Sequence, residues 1–290
     1  MSSVVTAQNL GKTFGNKRVL DDLSFTVERG DVIGVLGKNG AGKTTLLELM
    51  LGFSPASVGS VQVFGNDSFH LPAAAKARVG FAPQSAELLQ QLTVRDQLKV
   101  IASFYPEWDA GLIERLGQTW ELDLNRRVRE LSIGQRQKLS ILLAIGHHPE
   151  LLCLDEPMAS LDPIARRQFL EQIVDIAADG SRAVVFSSHI VSDIERLANK
   201  IWIIKSGRLH WSGELDLLKE SIVRVHIPNA SLPNDFSIPH SISMQRSDGF
   251  ITAVVEHWDD TARTTLQSRC GCAVKVESLG LEDIFLELHR

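Results

Sequence analysis

Cysteine is scarce in this 290-residue sequence, and the three present, Cys153, Cys270 and Cys272, are too few and too unevenly spaced for a disulfide framework. Reduced thiols are expected. Cys270-Gly271-Cys272 has no matching second pair of ligands, so it reads as an ordinary strand edge and not as a metal site. Long apolar runs are also missing: Ile141–Ile145 and Leu151–Leu154 fall far short of the roughly 18–20 residues that span a bilayer. The chain is not expected to cross a membrane. Its first thirty residues alternate polar and apolar and carry charge throughout, unlike a secretory signal, and a cytoplasmic location is the expectation. Basic charge is not in excess either. Of the net charge of −5, residues 216–290 carry −4, with seven Lys/Arg against eleven Asp/Glu. No nucleic-acid partner is expected from this balance.

What remains is the composition of a globular protein, 44% hydrophobic and 22% charged, long enough for one large domain or two ordinary ones. Residues 4–36 read as short strands, Val4–Asn9, Leu23–Val27 and Asp31–Leu36, with Glu28-Arg29-Gly30 as a hairpin turn. Beyond Gly37, β and α patterns alternate. Strands are expected near Val61–Phe64, Val79–Ala82, Leu151–Asp155, Ala183–Ser187 and Ile201–Lys205. Helices are expected near Lys43–Leu51, Val94–Phe104, Ala110–Trp120, Ile133–His147, Pro163–Ala178 and Val191–Ala198. The alternation predicts an α/β fold: a mixed sheet with an N-terminal antiparallel β part, interrupted by a helical lobe at about 85–147. After the hairpin Ile201–Gly213, turned at Ser206-Gly207, prolines and Asn/Ser-rich loops mark a boundary near 215–222. The main domain is therefore placed at 1–215. Residues 222–290 read as a small α+β domain: strand Ile222–Ile227, a hairpin turned at Ser247-Asp248-Gly249, helix Thr261–Arg269, strand Ala273–Glu277 and helix Glu282–Leu288.

Gly37-Lys38-Asn39-Gly40-Ala41-Gly42-Lys43-Thr44 fits G-x-x-x-x-G-K-[ST], and it follows an apolar strand and opens a helix, as that motif requires. Gly37, Gly40 and Gly42 let backbone N–H groups, with those of Asn39, Ala41 and Thr45, turn toward phosphates. Lys43 brings a positive charge to the terminal phosphates, and the Thr44 hydroxyl can reach Mg²⁺. The apolar strand ending in Asp155-Glu156 supplies a second half: Asp155 to hold Mg²⁺ through water or Thr44, and Glu156 to take a proton from an attacking water. Adjacent acids at a strand end are as often plain solvent-facing charge, and the phosphate loop in the same chain decides between these readings. Gln84 and His189 each follow a strand, so in a parallel sheet both reach the same carboxyl edge as the loop. Alone, either is more often bland surface. Together they are candidates to orient water or Mg²⁺ (Gln84) and to bond the terminal phosphate (His189).

Leu131-Ser132-Ile133-Gly134-Gln135 reads as the start of another helix, capped by Ser132 and left uncovered by Gly134. Such an end attracts an anion, yet no phosphate-loop lysine lies in this stretch.

In order and spacing these segments resemble the ATP-binding cassette (ABC) ATPases. The resemblance rests on the phosphate loop, Gln84, Leu131–Gln135, Leu154-Asp155-Glu156-Pro157, Ala159-Ser160-Leu161-Asp162 and His189, and it covers residues 4 to about 215. It implies a P-loop NTPase cassette that binds ATP and Mg²⁺, with Phe14 stacked on adenine where the family more usually has Tyr. It also implies a head-to-tail homodimer with two ATP molecules at the interface. Ser132, Ile133, Gly134 and Gln135 then meet the γ-phosphate held by the partner copy, which answers the missing lysine. Asp162 would touch the partner's site; as Asp-Pro it fits a helix N-cap equally well, and both readings stand. Ile133 replaces the more common Gly, and it is tolerated wherever backbone N–H groups make the contact.

The resemblance further implies that the helical lobe and the Gln84 segment form a cleft for a helix of an integral membrane permease subunit. That would place the chain on the cytoplasmic side of the cell membrane. Leu88, Leu89, Leu92, Val94 and Leu98 are the candidates to line this cleft, with internal packing as the plainer reading for most of them. Gly280–Leu288 is similar to the C-terminal segment of bacterial exporter ATPases, and Phe104-Tyr105-Pro106-Glu107-Trp108-Asp109 to a stretch in one branch of them. By periodicity alone, Leu281, Ile284, Phe285 and Leu288 form a helix face that covers the small domain. A soluble cassette ATPase acting on ribosomes or DNA is the rival reading. With one cassette and only 88 residues from Thr44 to Ser132, it fits less well. A small-molecule kinase has no use for Ser132–Gln135.

Overall fold

The computed structural model describes all residues except 1, 2, 86, 179, 230, 231, 234 and 248. It divides into two compact units, Met1–Ser212 and Gly213–Arg290. In the first, β1 (Val5–Phe14) turns at Gly15 and Asn16 into β2 (Lys17–Val27), which pairs with it antiparallel. The Glu28-Arg29-Gly30 stretch, which the sequence reads as a hairpin turn, instead carries the chain from one sheet to another. β3 (Val32–Leu36) pairs not with β2 but in parallel with two later strands. The cause lies in the burial pattern: β2 alternates buried and exposed residues, whereas β3 is buried at every position and needs cover on both faces.

Helix α1 (Lys43–Met50) follows the phosphate loop, then β4 (Val58–Val63), β5 (Asn66–Asp67), the short α2 (Ala73–Lys76) and β6 (Val79–Ala82). The antiparallel sheet runs in the order β2-β1-β4-β5. Three helices come next, α3 (Val94–Ala102), α4 (Ala110–Thr119) and α5 (Ile133–Ile145), of which α3 and α4 each pack on α5. The chain continues through β7 (Leu151–Leu154), α6 (Pro163–Ala177), β8 (Ala183–Ser188), α7 (Val191–Leu197), β9 (Lys200–Lys205) and β10 (Arg208–Glu214). The large sheet has the order β10-β9-β3-β8-β7-β6, with β9, β3, β8, β7 and β6 parallel. Strands β3, β7 and β8 are buried throughout because α7 covers one face of β3 while α1 and the antiparallel sheet cover the other. Phe25 of β2 and Trp202 of β9 meet across that core with ring centroids 4.4 Å apart.

The second unit holds α8 (Leu215–Ser221), β11 (Val223–Pro228), β12 (Ser241–Arg246), β13 (Phe250–Val255), α9 (Asp260–Cys270), β14 (Lys275–Ser278) and α10 (Leu281–Leu288). Its sheet has the order β12-β13-β11-β14, and every pair is antiparallel. Alternate residues Val223, Val225 and Ile227 of β11 face Leu266 and Cys270 of α9 in its core. β12 and β13 form the expected hairpin, whose Asp248 lies outside the described residues. Cys270-Gly271-Cys272 is not a strand edge. Gly271, at φ 65°, ends α9 in the left-handed conformation, so Cys270 is a helix residue and strand β14 starts only at Lys275. Leu281, Ile284 and Leu288 are buried, as the periodicity of α10 requires, and Phe285 packs against His289 with the two rings tilted by 44°.

Candidate nucleotide site

The parallel sheet brings four loops to one edge: the phosphate loop after β3, Gln84 after β6, Asp155-Glu156 after β7 and His189 after β8. The phosphate loop depends on glycine where it meets the helix. Gly42, at φ 106°, would place a Cβ 2.6 Å from Leu20 Cδ2, so no side chain fits there. It also leaves α1 without a side-chain cap, whereas Thr93, Asp109, Ser132 and Asp162 cap α3, α4, α5 and α6. The uncapped N–H groups of α1 are the ones that border a cavity of about 560 Å³. Phe14, Asn39, Gly40, Lys43, Thr44 and Thr45 line it, together with Gln84 and Glu156. Half-exposed Phe14 stands at the mouth, with the Lys12 ammonium 4.9 Å from its ring centroid. Gly37 and Ala41 do not line the cavity; the Gly37 carbonyl accepts a 2.9 Å hydrogen bond from Lys43 Nζ.

The acids are held in a buried network. Thr44 Oγ1 donates to Asp155 Oδ2 at 2.7 Å, and Ser187 Oγ donates to Asp155 Oδ1 at 2.6 Å. The same Ser187 oxygen accepts the Glu156 backbone N–H at 2.8 Å. Glu156 Oε1 lies 3.6 Å from Lys43 Nζ, and Oε2 lies 2.6 Å from His189 Nδ1 and 3.3 Å from the His189 backbone N. A carboxylate only accepts, so Nδ1 carries the proton in this pair. Glu156 sits at φ 47°, a left-handed backbone that a non-glycine residue adopts at a cost of about 1 kcal/mol or more. Fixed in this way, its carboxylate borders the cavity and does not turn into the core. Ser187 had no motif to mark it. The available signal was position, since it is a polar residue at the end of an otherwise apolar buried strand, next to Asp155.

These donors fit the groups that the fold implies. Uncapped helix N–H groups and Lys43 suit a polyphosphate, and hydroxyl and carboxylate oxygens at Thr44 and Asp155 suit a hard cation such as Mg²⁺.

The Ser132 helix end lies elsewhere. Ser132 Oγ accepts from Gln135 N at 3.2 Å and Gln135 Oε1 accepts from Ser132 N at 3.0 Å, a complete capping box. Neither these two residues nor Ile133 and Gly134 line the phosphate-loop cavity. Ile133 is 73% exposed. Gly134 has no room for a Cβ, which would come within 2.8 Å of the Ser160 carbonyl, so this helix end and the Ala159–Asp162 turn are in direct contact. Asp162 caps α6 through hydrogen bonds from Ile164 and Ala165, and those backbone N–H groups, that of Ala165 foremost, hold its carboxyl below the usual range.

Of the five apolar candidates for a cleft, Leu88, Val94 and Leu98 are buried in internal packing, the plainer reading for most of them, and only Leu89 is well exposed. These side chains fall on the inner face of their segment, which hydrophobic pattern alone does not distinguish from an open face. A groove of about 390 Å³ is instead walled by Phe53, Phe69, Phe81, Ile101, Tyr105 and His147.

Fold and site together define a P-loop nucleotide-hydrolysing cassette. The sequence profile of the ABC transporter family matches residues 20–159. The Nod factor export ATP-binding protein I of Mesorhizobium japonicum is 32% identical over 292 residues, covering 96% of this chain and 84% of that protein. The bacitracin transport ATP-binding protein BcrA of Bacillus licheniformis is 32% identical over 222 residues, covering 76% of this chain and 72% of its own length. A solved structure described as the ATP-binding subunit of an ABC transporter superposes with TM-score 0.69 at 27% identity, covering 74% of this chain and 92% of that one. A dimeric ATP-binding cassette bound to ADP and Pi shares the fold, with TM-score 0.65 at 20% identity over 73% of this chain and 98% of its own. This chain belongs to the ABC transporter ATP-binding family and is an ATPase.

Proposed function

We propose that this chain is the ATP-hydrolysing subunit of a bacterial exporter, working as a homodimer on a separate membrane subunit at the cytoplasmic face of the cell membrane. The observation that carries the reading is the separation of two anion-seeking helix ends. One, at α1, has the lysine, the acids and the cavity; the other, at Ser132, is exposed and faces none of them. Each lacks what the other offers, and a second copy placed head to tail supplies it.

Within each half, the α1 N–H groups and Lys43 bind and orient the phosphates, and Phe14 at the cavity mouth receives the base. Mg²⁺, when bound at Thr44 and Asp155, neutralises charge that develops on the phosphate oxygens. Glu156, oriented by His189 and by its backbone bond to Ser187, takes the proton of the attacking water. Gln84 sits across the cavity to align that water. Ser132 and the N–H of Gly134 from the other copy complete the cage, so geometry is set only when two copies close. The exporter assignment is supported by the printed roles of the Nod factor and bacitracin relatives. The groove at Phe53, Phe69 and Tyr105 is the surface offered to the membrane subunit.

The test is sedimentation of Glu156→Gln with and without Mg·ATP. The reading predicts a nucleotide-dependent doubling of mass with hydrolysis almost abolished; a species that stays monomeric at saturating ATP would count against it.

A further inference from the structure

Lys12, near the end of β1, is only 7% exposed. Lysine is seldom buried so far unless an acid pairs with it. What meets this ammonium is uncharged: Ser54 Oγ and the Pro55 carbonyl accept from it, the latter at 2.7 Å, and it stands over the Phe14 ring, 4.9 Å from the centroid. Neutral oxygens satisfy its hydrogens without cancelling its charge, and the face of the ring receives the field.

The backbone is shaped for this contact. Leu10, Gly11 and Lys12 are buried in succession, against the usual alternation, and the register of β1 on β2 shifts on either side of Lys12. Such an irregularity re-aims a side chain, and here it turns Lys12 toward the loop that leaves α1. That loop is stitched to β1 on both sides of Lys12. Ser57 N donates to the Gly11 carbonyl at 2.9 Å, and Thr13 N donates to Ser57 Oγ at 3.1 Å. At its other end, Phe53 N donates to the Glu48 carbonyl of α1 at 2.9 Å. The same helix opens with Lys43 and Thr44, so Lys12 is tied to the frame of the phosphate site while its ammonium lies over the residue at the cavity mouth.

Phe14 needs such a hold. It is 50% exposed, and a Phe ring has no hydroxyl through which a hydrogen bond could fix its orientation. The ammonium does this by attracting the ring face, so less freedom is lost when a base arrives. It also draws π-electron density toward itself, which leaves the other face less negative and better suited to stack on an electron-rich purine.

We infer that Lys12 is a positioning residue for the base: acting through Phe14, it sets how tightly the adenine end of the nucleotide is held and leaves the grip on the phosphates unchanged. The inference rests on the reading that Phe14 receives the base.

ADP and inorganic pyrophosphate separate the two ends of the site. Both suit the phosphate loop, only ADP carries a base, and neither has a γ-phosphate. In equilibrium binding to the full chain, Lys12→Met, which keeps the length and loses the charge, should raise the Kd for ADP about tenfold and leave that for pyrophosphate within about twofold of wild type. In a Phe14→Leu background the same substitution should add nothing, because the residue through which it acts is gone. Equal weakening of both ligands, or an undiminished effect without the ring, overturns the proposal and reduces Lys12 to a tether for the loop. ADP affinity lost in Phe14→Leu but kept in Lys12→Met overturns it alone and leaves Phe14 as the base's partner; ADP affinity kept in Phe14→Leu removes both. Should Lys12→Met fail to fold, Ser54→Ala decides, since it takes one acceptor from the ammonium and keeps the lysine. A rise of about threefold in the Kd for ADP alone supports the proposal, and any other pattern overturns it.

Discussion

Ser187 and Asp155 lie on neighbouring strand ends, and the Ser187 hydroxyl donates to Asp155 Oδ1 at 2.6 Å while accepting the N–H of Glu156. One buried oxygen thus aligns both acids. Ser187→Ala leaves the Glu156 N–H and one Asp155 lone pair unpaired, at a cost of about 1–3 kcal/mol. Denaturant unfolding should show that loss, and kcat should fall more than the affinity for ATP, because the phosphate loop is untouched.

Glu156→Gln removes the base but keeps the shape. Hydrolysis should fall by about 10²-fold or more, with ATP binding retained within a few-fold, as followed by phosphate release and equilibrium binding. Turnover near the wild-type rate would remove Glu156 from that role.

Gly134→Ala tests the contact between the Ser132 helix end and the Ala159–Asp162 turn. Its Cβ would press to 2.8 Å from the Ser160 carbonyl, so the turn must shift. Hydrolysis should drop while ATP binding to the isolated chain is spared, since neither element lines the phosphate-loop cavity. Equal loss of both would show that the two sites are one.

Much of the nucleotide site was legible in the sequence because it is built from local patterns. The phosphate loop, the apolar strand before Asp155-Glu156 and the Ser132 cap each need only a few adjacent residues, and that strand, Leu151–Leu154, is an unbroken apolar run buried at every position. What the sequence could not show depends on partners far along the chain. Glu28–Gly30 has the composition of a hairpin, but whether β3 pairs with β2 or with β8 is a matter of the whole sheet. Ser187 acquires its role only beside β7. The groove escaped notice because the aromatic residues that wall it, Phe53, Phe69, Phe81 and Tyr105, come from separate segments with no shared periodicity.

Glu150 gives a pH test of the fold. Hydrogen bonds from Arg78, assisted by Arg29 of the inter-sheet turn, hold its carboxyl down from 4.5 to about 2. A depressed carboxyl pKa contributes stability that is complete above the unfolded value and is lost as pH falls toward the folded one. In denaturant unfolding, Glu150→Gln should therefore be less stable than wild type by a constant margin above about pH 5, and the margin should shrink as pH falls below 4.5. A margin independent of pH would mean the ion pairs contribute nothing.

The central claim is that nucleotide is enclosed by two copies. Two differently tagged chains should be mixed, one with Lys38→Cys in the exposed phosphate loop and the other with Ser132→Cys. Both carry Cys272→Ser, which leaves only the buried Cys153 and Cys270 as native thiols. Oxidation in saturating Mg·ATP on a Glu156→Gln background should then join one tag to the other. A double-cysteine chain that forms its Lys38→Cys to Ser132→Cys bridge only within itself, with no mixed species in the two-tag experiment, would contradict the account.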